Sequence, residues 1–187
     1  SEKADWSKAV NVIINAKTDK ISGCNALDKV LINKNIPEYE TKLMMLKQKL
    51  EQHNVEIIAD KSISKLLENV NTVSQDSIWF EEFLALKLLI ASVDNIDEAT
   101  DMINKYSGKH SAAIITEDKN EALTFMNNVD SAAVYHNAST RFTDGGQMGI
   151  GAELAISTDK LHHRGPLGLK QLVTNKYYVF GDGQVRV

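Results

Sequence analysis

The sequence predicts an α/β fold, an open and mostly parallel sheet with helices on both faces. Three observations carry this. Short β-leaning apolar runs alternate with amphipathic stretches of helix length through the middle of the chain. The connections are too long for hairpins and suit right-handed crossovers between parallel strands. A balance of 43% apolar and 25% charged residues over 187 positions is that of one folded domain with a substantial core.

Each element has its own signal. Trp6, Ala9, Val10, Ile13 and Ile14 recur at helical spacing, which predicts a helix over 5–16 started by Asp5 or Ser7. A polar stretch, 17–23, ends it and leads to Cys24, and 29–33 is a short strand candidate. Pro37 stands where a first helical turn tolerates it, ahead of the stripe Tyr39, Leu43, Leu46, Leu50 of a second helix that runs out near His53-Asn54. Residues 55–58 read as a strand and 62–70 as a short helix. The pattern is clearest next: a buried strand at 86–93, then a helix capped by Asp94 or Asn95 with Ile96, Ala99, Met102 and Ile103 inward. Ser107-Gly108 stops it. A strand at 112–116, a helix at 117–128 facing inward through Ala122, Phe125 and Met126, and a strand at 132–136 complete the run. Glycines at 145, 146, 149, 151, 165 and 168 then mark irregular loops of the kind that bind ligands at the carboxyl ends of strands. The chain closes on an aromatic strand, 176–180, and the turn Gly181-Asp182-Gly183.

Composition excludes several classes. No apolar run approaches the ~18 residues of a membrane span. A net charge of −4 is the wrong sign for a nucleic-acid binder. One cysteine makes neither an internal disulfide nor a zinc site, and the 5 histidines show no H-E-x-x-H spacing, so no metal is expected. With no signal-peptide stretch and no initiator Met, a cytoplasmic location and an excised piece of a longer chain are the expectations.

Chemistry is concentrated in a few residues. Cys24 lies on a polar turn behind Gly23, with Lys17 and Lys20 nearby to favour a thiolate; a nucleophile and a small packed hydrophobe both remain open from the residues alone. Arg141 and Arg164 stand in the Gly-rich tail of a chain that otherwise relies on lysine, which suits bidentate binding of carboxylate or phosphate and equally suits an ion pair between loops. The glycine run 145–151 has neither the G-x-G-x-x-G order nor a Walker ending and reads as turns. Glu81-Glu82 opens the buried strand, either as a solvated strand end or reaching into a cleft. His162-His163 lacks a third ligand, so metal is rejected there.

Several segments together resemble one family. They are Asn15-Ala16-Lys17-Thr18 with Cys24-Asn25-Ala26-Leu27-Asp28, Val129 to Val134, Asn137-Ala138-Ser139-Thr140-Arg141-Phe142-Thr143-Asp144-Gly145-Gly146, Gly149-Ile150-Gly151-Ala152-Glu153, and Leu161-His162-His163-Arg164-Gly165-Pro166-Leu167-Gly168-Leu169. In order and spacing they resemble the gamma-glutamyl phosphate reductase family of the aldehyde dehydrogenase superfamily, across essentially the whole chain. The resemblance implies an aldehyde dehydrogenase-type catalytic domain over 1–187, a dinucleotide-binding domain outside it, and a strand at 176–187 that helps build a homo-oligomer. It implies Cys24 as catalytic nucleophile, Glu82 holding the cofactor ribose, and Asn137, Arg141 and Phe142 walling the substrate site. The implied reaction is NADPH-dependent reduction of glutamyl phosphate, a small-molecule substrate, through a cysteine thioester in proline biosynthesis. The family commonly has Lys-Thr-Gln-Arg-Pro where this chain has Lys17-Thr18-Asp19-Lys20-Ile21. Two alternatives stand beside it: an oxidoreductase of the same superfamily acting on another aldehyde or acyl phosphate, and a non-catalytic α/β module in which Cys24 is inert.

Overall fold

The structure, a computed structural model, describes residues 1–160 and 163–187. Helix α1 (Trp6–Thr18) starts on Asp5, whose carboxylate accepts the Lys8 N–H at 3.0 Å. Strand β1 (Lys29–Asn33) and helix α2 (Tyr39–Gln52) follow as the periodicity predicts. Strand β2 spans Glu56–Ala59. The helix expected over 62–70 shrinks to one 3₁₀ turn, Ile63–Lys65: Asp60 accepts the Ser62 and Ile63 N–H groups at its start, and Asn69 turns left-handed (φ 56°) before the expected end. A two-residue strand, β3 (Asn71–Thr72), and a 3₁₀ helix (Asp76–Phe80) lead towards β4 (Lys87–Val93). Then come α3 (Ile96–Tyr106), capped by Asn95, β5 (Ser111–Ile114), α4 (Lys119–Asn128) and β6 (Ala133–His136).

All pairings among these strands are parallel. They form two sheets rather than the single one expected: β1-β4-β2-β3, and β5-β6. The first sheet has a closed core in which Ile13 of α1, Leu43, Leu46 and Leu50 of α2, and Leu88 and Ile90 of β4 are packed together. Leu89 and Ala91, equally buried, point to the opposite face, as strand alternation requires. The second sheet packs a smaller core from Ala112, Ile114, Ala122, Phe125 and Val129.

The free edges of β1 and β5 line a groove of about 490 Å³ between the sheets, with Ile96, Met102 and Ile103 of α3 along it. Side chains bridge this gap in place of a ladder. Lys8 pairs with Glu117 at 2.8 Å, and Asn25 reaches the loop after β6.

The strand expected at 176–180 is not formed in this chain. Tyr177, Tyr178, Val179 and Phe180 are exposed and irregular, since a strand needs a partner edge and none lies beside them. Among the described residues, no helix is long and apolar enough to cross a membrane, and no group of three or more His, Cys, Asp or Glu could hold a metal. His162, half of the rejected His pair, lies outside the described residues.

Candidate active site

Cys24 is exposed, so it is not a packed core residue. It rides on a tight turn between α1 and β1: Gly23 N–H donates to Lys20 O at 3.1 Å, Ala26 N–H to Gly23 O at 2.8 Å, and Leu27 N–H to Ala16 O at 2.9 Å. Among the described residues, the backbone N–H groups of Cys24 and Asn25 find no protein acceptor. Gly23 leaves room for the side chains that meet over the turn: a Cβ there would lie 2.9 Å from Arg141 Nη1 and 3.0 Å from Asn25 Oδ1.

The turn is held from the far side of the groove. Asn25 is buried, and its Nδ2 donates to Thr143 O at 2.8 Å and to Arg141 O at 3.3 Å. Its Oδ1 accepts from Arg141 Nη1, and its backbone carbonyl accepts from the Thr140 hydroxyl at 2.7 Å. Arg141 Nε donates to Asp19 at 3.0 Å. Asp19 belongs to the stretch where this chain departs from the family pattern, and its carboxylate supplies the second anchor for Arg141. The Arg141 guanidinium thus joins the stretch carrying Asp19 and Asn25 to the loop after β6.

Glu82 lines the same groove as Cys24. It does not open the strand: Leu84 turns left-handed (φ 47°), and β4 begins only at Lys87. Because β1 and β4 are parallel, with Lys29 opposite Leu89, the Cys24 turn and the Glu81-Glu82 segment lead into the same, amino-terminal, end of the sheet.

The other expected residues are placed less centrally. Phe142 is half-exposed in the 3₁₀ turn Thr140–Phe142. Asn137, left-handed at φ 52°, follows β6 and spends its carboxamide on the N–H and carbonyl of Thr116, at 3.0 and 2.9 Å, beyond the carboxyl end of β5. Lys17 is fully buried and faces Asp28 at 3.6 Å, so its charge is engaged there rather than left free to favour a thiolate. Arg164 is likewise paired: with Lys109 and Lys160 it surrounds Asp130 at 2.8–3.1 Å, and these three cations hold the Asp130 carboxyl well below the usual carboxylate range.

Sequence reasoning missed His110 and the hydroxyls behind it. His110 lines the groove, and its Nδ1 lies 2.7 Å from Ser111 Oγ. That hydroxyl meets Thr143 Oγ1 at 2.7 Å, which also meets Tyr135 OH at 2.9 Å. The only available signal was a histidine opening a strand. Burial lowers the His110 imidazole below its ordinary 6.5. As pH falls through about 6.5 the unfolded chain takes up a proton that the folded ring resists. The unfolded state then binds more protons, and stability falls with pH. Urea midpoints measured from about pH 7 down to about pH 5 are expected to drop less in His110→Gln than in the parent; equal slopes would remove His110 as the source.

Comparison with known proteins places this geometry. The profile of the Aldehyde dehydrogenase family matches residues 66–153. The gamma-glutamyl phosphate reductase of Dictyoglomus thermophilum is 50% identical over 185 residues, 99% of this chain and 44% of its own length. The gamma-glutamyl phosphate reductase 1 of Bacillus licheniformis is 48% identical over 186 residues, 100% of this chain and 44% of its own. In crystal structures, the gamma-glutamyl phosphate reductase of Thermotoga maritima superposes with a TM-score of 0.90 at 44% identity, covering 98% of this chain and 44% of that one. The chain thus spans less than half the length of these relatives.

Proposed function

We propose that the chain is part of an aldehyde dehydrogenase-family reductase, since that family's profile matches residues 66–153 and the chain aligns along its length with part of the gamma-glutamyl phosphate reductases, and that its protein reduces L-glutamyl 5-phosphate to L-glutamate 5-semialdehyde and phosphate in proline biosynthesis. NADPH is the proposed reductant. Residues 1–187 serve as the catalytic domain, with the dinucleotide-binding domain outside them, in a cytoplasmic homo-oligomer joined through 176–187. The observation that carries the reading is the single exposed thiol, Cys24, on a turn held rigid at a groove that also contains Glu82.

The residues fit the chemistry. A nucleophile must reach an acyl carbon, and Cys24 stands free of packing. Its thiolate displaces phosphate and leaves a thioester. The unpartnered Cys24 and Asn25 N–H groups are available to the oxyanion as it develops. Phosphate leaves readily, so the site needs no strong acid. Glu82 offers a carboxylate to ribose hydroxyls, beside the aromatic cluster of Trp79, Phe80 and Tyr106 with ring centroids 4.9–5.6 Å apart. A nicotinamide cofactor, when bound, supplies the hydride that takes the thioester to the aldehyde. Arg141 and Phe142 form the substrate-side wall. Asn137, engaged with Thr116, acts by shaping that loop's start.

The test is NADPH oxidation by the full-length protein with glutamyl phosphate against other acyl phosphates. A strong preference for glutamyl phosphate supports the reading. Preference for another acyl phosphate moves the enzyme to a different substrate, and no turnover with any of them favours the binding module.

A further inference from the structure

The segment that carries Glu82 is fastened on both sides of that residue by the start of β1. On one side, Lys29 Nζ donates to Glu81 O at 2.9 Å. On the other, Asp28 Oδ1 accepts the Phe83 N–H at 3.3 Å. Lys29 and Lys87 also flank the Phe83 ring, 5.8 and 6.0 Å from its centroid. Asp28 and Lys29 lie just downstream of Cys24 on the same stretch of chain, and the Asp28 carbonyl accepts Leu89 N–H at 2.9 Å, which locks that stretch to β4.

Behind Asp28 stands Lys17. Its side chain is fully buried, Asp28 at 3.6 Å is its ion-pair partner, and its Nζ makes no hydrogen bond among the described residues. A buried charge with one long contact is poor stabilisation. Optimal packing would put an apolar residue there, so the pair reads as a device for aiming the Asp28 carboxylate. Lys17 and the Phe83 amide meet the same carboxylate oxygen, Asp28 Oδ1, which the buried cation holds in place for that amide.

Resting on the reading of Glu82 as the cofactor's ribose ligand, we propose that Lys17, Asp28 and Lys29 form a clamp that fixes Glu82 relative to Cys24, and so fixes the cofactor against the thioester carbon. These are positioning residues: they act through Glu82 and touch neither substrate nor cofactor. The clamp joins two halves of the chemistry that are far apart in sequence, so that one stretch of β1 carries the nucleophile and anchors the cofactor ligand.

Two variants of the full-length protein separate positioning from plain stability. Asp28→Asn keeps an oxygen for the Phe83 amide but leaves Lys17 without a counter-charge. Its melting temperature is expected to fall clearly and the KM for NADPH to rise about threefold, because the oxygen facing the Phe83 amide is no longer held by Lys17. Lys17→Met with Asp28→Leu replaces the pair by apolar groups of similar size, so the melting temperature is expected to hold or rise. The Phe83 amide then has no acceptor, and the KM for NADPH is expected to rise about tenfold, with Cys24 alkylation by iodoacetamide unchanged. A parental KM in that double variant overturns the clamp. Should the double variant not fold, Lys29→Met removes the Glu81 contact together with one of the two cations beside the Phe83 ring and is expected to raise the KM about threefold; no rise there overturns the clamp equally. Glu82→Gln distinguishes the premise: if it leaves the NADPH KM untouched, Glu82 is not the ribose ligand and that reading fails, whereas a raised KM in Glu82→Gln beside a parental KM in the clamp variants condemns the clamp alone.

Discussion

Cys24→Ser is expected to lower kcat/KM for glutamyl phosphate by at least about 10³-fold while leaving the fold intact. The exposed thiol adds almost nothing to packing, so the unfolding free energy should stay within the scatter of surface substitutions, about 0.5 kcal/mol. What serine cannot replace is the chemistry. Its hydroxyl is a far weaker nucleophile at neutral pH, and no side chain of the Cys24 turn is placed to activate it as a base. Of the two nearby lysines, Lys17 is buried against Asp28 and Lys20 is exposed to solvent. An ester formed on serine would also be a poorer hydride acceptor than a thioester. The check is direct because Cys24 is the sole cysteine: mass spectrometry of native protein mixed with glutamyl phosphate and no NADPH should show an acyl adduct on residue 24, absent in the serine variant. Parental turnover by Cys24→Ser would end the thioester mechanism and leave the family resemblance without its nucleophile.

Much of the scaffold was legible because its signals are local. The helix around Ile13, the cap at Asn95, the stop at Gly108 and the alternation of strands and helices from 87 to 136 depend on periodicity and capping, and they appear where the residues place them. The failures are non-local. Nothing near Leu84 in sequence announces the left-handed turn that delays β4 and frees Glu82 from the strand. The 176–180 segment has the composition of a strand, yet composition cannot provide the edge it must pair with. The site was half visible. Cys24 stands out by its polar turn behind Gly23 and Glu82 by the resemblance, and the groove contains both. The residues that hold them, Asn25, Thr143, Asp28 and Lys17, act through contacts spanning up to 118 positions, which no spacing pattern encodes. Arg141 shows the limit well. Its residue type announced an oriented guanidinium, but only the fold reveals that Asp19 and Asn25 are what it orients against.

That last contact leads to the second large effect. Asn25→Ala should cost both stability and rate, because one carboxamide serves as the joint between the Cys24 turn and the loop after β6. Its removal strands the Thr143 carbonyl in a buried setting, weakens the hold on the Arg141 carbonyl, and takes an acceptor from the Arg141 guanidinium. Unmade buried hydrogen bonds cost about 1–3 kcal/mol each, so a total of about 2–4 kcal/mol is expected. For a chain of this size that lowers the melting temperature by roughly 5–15 °C. The turn would lose its outer wall, and a nucleophile displaced by about 1 Å forfeits about 10² in rate, so kcat should fall by that order. Asn25→Asp refines the test: its carboxylate keeps the Arg141 contact and strengthens it, but turns an oxygen towards the Thr143 carbonyl where a donor stood. It should therefore recover part of the melting temperature and little of the rate. If instead Asn25→Ala melts like the parent and loses only kcat, the carboxamide touches the reacting substrate directly, and the joint between the two loops is carried by the Thr140 hydroxyl on the Asn25 carbonyl, a bond that the alanine variant retains.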